Sequence, residues 1–305
     1  MDQNLTMCWK QSPAILSSNQ RTYYEKMIDT SLLILILEYL IEKDICQLDI
    51  ANTNVKLRYS YLLLLTKMSH VLFCSIQPNE SMLKWVIKRH IQVEKMVFND
   101  KKNDPSDDWF IKIRNLSKLK EIKFRLTHQI TDASVVSIME CTSLVSIELE
   151  SCKITDTSID KMLEETNKLD TISIMACTSI TSKAINRLIQ KVSLKKLDIS
   201  YTATNNNTFK AIREGNSLKT LIIAWCNIND DGIIAISNVC PLLESINLCV
   251  SHNITDLSII ELSKKCPLLN NICLSSCSKI TDLSYQSLAL NCPLLTGPEY
   301  DKFRK

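Results

Sequence analysis

Glycine is scarce in this 305-residue chain, which has only three, at positions 215, 232 and 297. Phosphate-binding loops of the G-x-G-x-x-G and P-loop types need several close glycines so that the backbone can approach the phosphate. The sequence therefore encodes neither loop. It also has no C-x-x-C pair, and its closest cysteines are Cys273 and Cys277. Because structural zinc sites usually combine such pairs, we predict no metal site and no cofactor.

An excess of charge of one sign is also missing. The chain has 36 basic and 33 acidic side chains, a net charge of +3. Up to residue 118 there are 16 basic and 13 acidic residues, and the remainder has 20 of each. Nucleic-acid surfaces are typically strongly basic, so we expect no nucleic-acid partner.

Long apolar runs are absent as well. The longest, LLILILEYLI at residues 32–41, is ten residues long and contains Glu38. A membrane-spanning helix needs about 20 apolar residues, so we expect no membrane segment. The first twenty residues lack a basic region followed by a long apolar core, and we predict no signal peptide.

An internal repeat is the strongest feature that is present. Residues 240–256 read CPLLESINLCVSHNITD and residues 266–282 read CPLLNNICLSSCSKITD. Equivalent apolar anchors recur every 24 to 26 residues, at Val93, Leu119, Leu144, Leu169, Leu194, Leu218, Leu243, Leu269 and Leu295. A period of this length is typical of solenoid proteins.

Each unit predicts one strand and one helix. An L-x-x-L-x-L core, such as Leu144, Ile147 and Leu149, alternates like a half-buried strand. A small residue, mostly Cys, comes next, and I-T-D or a variant follows, in which Thr or Asp can cap a helix. Apolar residues three or four apart then predict a short helix that closes at Cys-Pro or at Gly215. We assign a capping role to the recurring carboxylates Asp132, Asp156, Asp230, Asp256 and Asp282.

Neither element of one unit can bury its apolar side alone, so the units must stack. Strands stack about 4.8 Å apart and helices about 8–10 Å apart, so the array bends with its strands inside. The predicted fold is an α/β curved solenoid with a parallel sheet on the concave side and helices on the convex side.

The thirteen cysteines fit this fold as small buried fillers, because most of them recur at one position of the repeat. A disulfide framework would not place its cysteines at one repeated buried position. This use of cysteine predicts a reducing compartment, the cytoplasm or the nucleus.

The motif L-x-x-L-x-L-x-x-C-x-x-I-T-D, preceded by C-P, resembles the cysteine-containing subfamily of leucine-rich repeats, over residues 93–295. The unit at Thr204 to Asn206 departs from I-T-D. The resemblance implies a surface that binds another protein.

Residues 25–66 resemble an F-box, a small all-α module that binds a Skp-type adaptor. Tyr39 and Asp44 fit its pattern, whereas Asp29 stands where the family usually has Pro. The resemblance implies adaptor contacts by Ile28, Leu32, Leu33, Ile36, Leu40, Ile45 and Leu48.

This order of modules implies the substrate-recognition subunit of an SCF-type ubiquitin ligase, joined through the adaptor to a cullin. We divide the chain into a flexible segment (1–24), the F-box-like module (25–66), a helical linker or cap (67–92), the repeats (93–295) and a tail (296–305). The alternative is a repeat protein without a ubiquitin role, whose first helices only cap the solenoid. The tail either covers the last apolar edge or leaves it for another contact.

Side chains that flank the buried middle of each strand should line the concave face. From them and the adjoining turns we predict a substrate-binding surface made of Lys123, Arg125, Glu148, Glu150, Met175, Asp198, Tyr201, Ile222 and Trp225. Tyr201 and Trp225 take the same place in neighbouring units; binding or shielding of the strand ends both fit this placement. Cys249 and His252 are three apart, but His252 falls in a turn, so we predict a receptor without catalytic residues.

Overall fold

A computed structural model describes residues 72–73, 93–98, 110–111, 113–114, 116–125, 129–164, 168–190, 194–209, 217–301 and 303. The F-box-like module with its seven adaptor-contacting residues lies outside this part of the chain. Within it, none of the helices has the length and apolar character needed to cross a bilayer.

A parallel sheet forms the frame of the described residues, with nine strands paired in chain order. They are β1 Leu72–Phe73, β2 Lys95–Phe98, β3 Glu121–Arg125, β4 Ser146–Glu150, β5 Thr171–Ser173, β6 Lys196–Asp198, β7 Thr220–Ile222, β8 Ser245–Asn247 and β9 Asn271–Cys273. Ile147 pairs with Ile172, Ile172 with Leu197, and Leu197 with Leu221. The predicted alignment of the middle apolar residues is confirmed.

Helices return the chain from one strand to the next. They are α1 Asp132–Met139, α2 Asp156–Glu164, α3 Ser182–Ile189, α4 Asn206–Phe209, α5 Asp230–Val239, α6 Asp256–Lys265 and α7 Asp282–Asn291, and α8 Pro298–Asp301 follows in the tail. Consecutive helices from α1 to α7 contact one another, as strands of the sheet do. The described repeats therefore form the predicted open, curved α/β solenoid.

The core lies between the sheet and the helices. All nine predicted anchors are buried, from Val93 to Leu295. At the amino-terminal end of the array the core becomes aromatic, because the rings of Phe98 and Phe124 stack with their centroids 4.6 Å apart. Phe110 packs edge-on against Phe124, at 5.4 Å.

The sheet begins earlier than predicted. Leu72–Phe73, inside the segment predicted as a helical linker (67–92), form a strand, and Leu72 pairs with Lys95. The prediction is wrong for these two residues. Pairing satisfies backbone groups that β2 would otherwise leave open at the edge of the sheet.

The tail contributes to the last helical layer. Tyr300 in α8 is buried, and its ring centroid lies 6.0 Å from that of Tyr285 in α7. This contact favours the covering role among the two alternatives for residues 296–305.

In the I-T-D motif the threonine, and not the predicted aspartate, caps the helix. The side chains of Thr181, Thr255 and Thr281 accept from amides of their own helices, so threonine is the N-cap. The aspartate is the first helical residue, and its carboxylate binds the next repeat instead. Asp132, Asp156, Asp230 and Asp256 each accept from the backbone N–H and the hydroxyl of the following repeat's threonine, at 2.7 to 2.9 Å.

These bonds, which we call the Asp–Thr ladder, also set the charge of the carboxylates. Burial alone would raise the pKa of Asp132 and Asp256, but bonds from Ser158 and Ser284 and from the ladder threonines lower it. The pKa of Asp230 is lowered in the same way. The ladder therefore holds ionised carboxylates at the repeat junctions.

Candidate functional site

The concave face shows side chains in columns, because each strand alternates and its neighbours are in register. Lys123 pairs with Glu148, Glu148 with Ser173, and Ser173 with Asp198. The same column continues through Ile222 and Asn247 to Cys273. The strands thus place Lys123, Glu148, Asp198 and Ile222 on one surface, as predicted; their role in binding stays a prediction.

A charged cluster occupies the early part of this face. The Lys123 Nζ lies 2.8 Å from Glu148 Oε1, and the Lys196 Nζ lies 3.3 Å from the same oxygen. Burial alone would raise the pKa of Glu148, but the bond from Lys123 and the charges of both lysines lower it. Glu148 is thus a carboxylate shared by two ammonium groups on different strands.

Three other predicted residues extend the charged area. Arg125 is exposed at the end of β3 and pairs in register with Glu150. Asp198 accepts from the Ser200 N–H at 3.0 Å, so its carboxylate also supports the turn after β6. The predicted charged residues thus lie on β3, β4 and β6.

A left-handed residue follows each strand from β4 to β9. The φ angle lies between 56° and 60° in Ser151, Ala176, Tyr201, Trp225, Val250 and Ser276. Glycine is the usual residue in this conformation, and it is absent from all six positions, so the sequence held no signal for it. We call this place in the repeat the turn position.

Tyr201 and Trp225 occupy neighbouring turn positions. Their side chains are 52% and 58% exposed, and their ring centroids are 5.5 Å apart. Backbone bonds hold both residues, since the Tyr201 N–H donates to the Ala224 carbonyl and the Trp225 N–H to the Cys249 carbonyl. The structure thus brings the predicted aromatic pair together on an exposed edge. Met175 and Ile222 are half-buried; Met175 lies after β5 in the preceding repeat, and Ile222 ends β7 three residues before Trp225.

A cavity of about 460 Å³ lies in the loops that follow the same strands. It is lined by Asn205, Asn206, Asn207, Asn227, Asn229 and Asn253. Asn227 is two residues after Trp225, so the cavity adjoins the aromatic pair along the chain. Prediction from the sequence missed this site, although the change from I-T-D to Thr204–Asn206 marked it.

Hydrogen bonds to the backbone orient three of the side-chain amides in this cavity. The Oδ1 atoms of Asn205, Asn206 and Asn229 accept backbone N–H bonds from Asn207, Asn229 and Asp231 at 2.9 to 3.0 Å. Each oxygen uses one of its two acceptor positions in this way, and the three amide nitrogens can donate. The cavity can therefore bind acceptors such as peptide carbonyl oxygens.

The ladder changes at this cavity. Asn206 stands where α1, α2, α5, α6 and α7 begin with Asp, and Gly232 stands where α1, α2, α6 and α7 have a buried Ser, such as Ser258. A Cβ on Gly232 would lie 2.5 Å from the Ile228 Cγ1 and 2.8 Å from the Asn206 Oδ1. The missing side chain therefore lets α5 approach the Asn206 amide.

Comparison with family models matches the Leucine Rich repeat model at residues 140–163 and 216–237. No F-box is detected. No curated protein matches the sequence.

Solved structures show the same architecture, with 126 matching chains. A chain from the crystal structure of the Rad7 and Elc1 complex in yeast is 17% identical, with a TM-score of 0.51; the match covers 92% of this chain and 79% of that one. An internalin from Listeria monocytogenes is 16% identical, with a TM-score of 0.42 and coverage of 70% and 63%. A chain of a TLR13–ssRNA13 complex is 16% identical, with a TM-score of 0.48 and coverage of 75% and 32%.

At these identities the similarity shows the fold alone. The strand order, the buried anchors and the matched repeats agree on that fold. The described part of the chain is a leucine-rich-repeat solenoid.

Proposed function

We propose that this chain is a receptor that holds a target protein on the concave face and adjoining edge of its repeats. The observation that carries the proposal is the exposed Tyr201–Trp225 pair, fixed by backbone bonds beside the asparagine cavity. Trp and Tyr are enriched among the few residues that carry most of the binding energy of protein interfaces, and a fixed backbone lowers the entropy cost of binding.

The target would contact three kinds of surface in sequence. The Lys123–Glu148–Lys196 cluster offers charge, the aromatic pair offers apolar area, and the asparagine cavity offers amide donors. An extended target segment has carbonyl groups that suit those donors.

We further propose that residues 25–66 bind a Skp-type adaptor, making the chain a substrate receptor of an SCF-type ubiquitin ligase in the cytoplasm or nucleus. The F-box-like pattern supports this role. A structural neighbour that covers most of this chain comes from a two-protein complex, which is compatible with an adaptor-bound receptor. The receptor itself would bind and orient the target, while catalysis belongs to other subunits.

The target surface is tested by quantitative affinity capture with the full-length chain. The Tyr201→Ala/Trp225→Ala double variant should lose most of the proteins captured by the unchanged chain, because truncation of a hot-spot residue costs about 2 kcal/mol or more. Leu257→Ala is the matched control, since Leu257 is 60% exposed but lies in α6. Equal capture by both variants would contradict the proposed surface.

The ligase role is tested separately by binding to a purified Skp-type adaptor. The unchanged chain and Ile36→Leu should bind it, and Ile36→Asp should not. If the unchanged chain fails to bind the adaptor, the proposed ligase role is wrong. The affinity-capture experiment is independent of this result, so capture that is lost in the Tyr201→Ala/Trp225→Ala variant would still support a protein-binding receptor.

A further inference from the structure

Cys249 and Cys273 contact each other across neighbouring strands on the concave side. Their Sγ atoms are 2.6 Å apart, about 0.6 Å more than the ~2.0 Å of a disulfide bond. Cys273 ends β9, and Cys249 follows β8 by two residues. A small rotation of the side chains would bring the sulfurs to bonding distance.

The two thiols differ from the other described cysteines in their surroundings. Eight of the ten described cysteines are buried, whereas Cys249 and Cys273 are partly exposed. Buried thiols such as Cys266 and Cys277 donate to backbone carbonyls of the preceding repeat. Burial raises the pKa of Cys141, Cys240 and Cys266 to about 12, so these thiols are unreactive.

The exposed pair is also asymmetric. Burial alone would raise the pKa of Cys273, but bonds from the Cys249 thiol and from Ser275 lower it. Burial and the neighbouring Cys273 raise the pKa of Cys249. Cys273 is therefore the better nucleophile of the two, and Cys249 is placed to react second.

We propose that Cys249 and Cys273 form a reversible disulfide that links two neighbouring repeats of the concave face when the chain meets a peroxide. The Cys273 thiolate attacks a peroxide oxygen, the O–O bond breaks, hydroxide leaves, and Cys273 becomes a sulfenic acid. The Cys249 sulfur then attacks the Cys273 sulfur, and the S–O bond breaks. The released hydroxide takes the Cys249 proton. With hydrogen peroxide, two thiols are oxidised and one peroxide is reduced to two waters.

The test uses the reduced full-length chain and hydrogen peroxide in small molar excess at neutral pH. Remaining thiols are alkylated and counted by mass, and linked peptides are mapped by tandem mass spectrometry. The unchanged chain should lose two thiols and give a Cys249–Cys273 link, which dithiothreitol should reverse. In Cys249→Ser and Cys273→Ser this link is impossible. Cys249→Ser should stop at the Cys273 sulfenic acid, which dimedone traps, and Cys273→Ser should keep its Cys249 thiol.

Cys277→Ser is the matched control, because it lies in the same repeat and Ser251 already occupies the equivalent place in the preceding one. This variant should form the link at the unchanged rate. The proposal is overturned if peroxide leaves Cys249 and Cys273 unlinked in the folded chain. It is equally overturned if the buried Cys152 and Cys177 react before them.

Discussion

Removal of the Asp230 carboxylate tests whether the Asp–Thr ladder holds neighbouring repeats together. In the folded chain Asp230 accepts from the Thr255 N–H and the Thr255 hydroxyl, both at 2.8 Å. In Asp230→Ala both donors lose a charged partner. The repeats on either side of the junction should then pack less tightly, because solenoid stability depends on contacts between nearest neighbours.

The expected loss follows from the bonds. A hydrogen bond to a charged group contributes about 1.5–3 kcal/mol when it is buried. Asp230 and Thr255 are only half-buried, so water can replace part of each bond, and we expect Asp230→Ala to lower the free energy of unfolding by roughly 1–2 kcal/mol. In a repeat array of this size each kcal/mol corresponds to about 2–4 °C in Tm.

Urea denaturation followed by circular dichroism measures this loss, with two matched variants. Asp230→Asn copies the neighbouring Asn206, whose Oδ1 accepts only a backbone N–H, so its loss should be about half as large. Asp231→Ala removes an exposed carboxylate from the same helical turn and should cost at most about 0.5 kcal/mol at physiological salt. If Asp231→Ala is as damaging as Asp230→Ala, the effect belongs to the helix dipole and the ladder explanation is wrong.

Three further predictions concern pH, the turn position and the cavity. The pKa values of Asp132, Asp230 and Asp256 are lowered in the folded chain, so the ladder contributes its full stability above the unfolded pKa near 3.8. This stability is lost as pH falls through the folded pKa values, so urea midpoints should drop below about pH 4. The drop should be less steep in Asp256→Asn, and an equally steep drop in this variant would count against the ladder. Val250→Gly should raise the unfolding free energy by up to about 1 kcal/mol, because a left-handed β-branched residue costs about 1–2 kcal/mol and glycine's extra entropy offsets part of the gain. The same change in helix α5, Val239→Gly, should lower the unfolding free energy. If Val250→Gly and Val239→Gly both lower it, the turn position is not strained. Gly232→Ala should lower the free energy of unfolding by about 1 kcal/mol, because the added Cβ would clash with Ile228 and Asn206 and outweigh alanine's better helix propensity. A higher Tm of this variant in thermal melts would contradict this packing.

The repeat frame could be predicted because its signals are local and periodic. Ile147, Ile172 and Leu197 recur at a fixed interval, and one spacing rule places them on successive strands. The Asp–Thr ladder could not be assigned correctly, because the T-D pair marks a helix start without showing that the carboxylate reaches a threonine about 25 residues later.

The candidate site was only partly predictable. Tyr201 and Trp225 were found because they share a place in the repeat, but their left-handed backbone lacks the glycine that normally indicates it. The contact between Cys249 and Cys273 is diagonal across two strands, and such contacts depend on how the chain turns after each strand ends. Periodicity alone does not determine that turn.

At the turn position the backbone conformation does not depend on which side chain is present. The same backbone bend carries serine, alanine, tyrosine, tryptophan or valine. One amino acid per repeat can therefore be exchanged without altering the path of the main chain. A series of variants with different surfaces could be made from this solenoid by changing a single row of side chains along its edge.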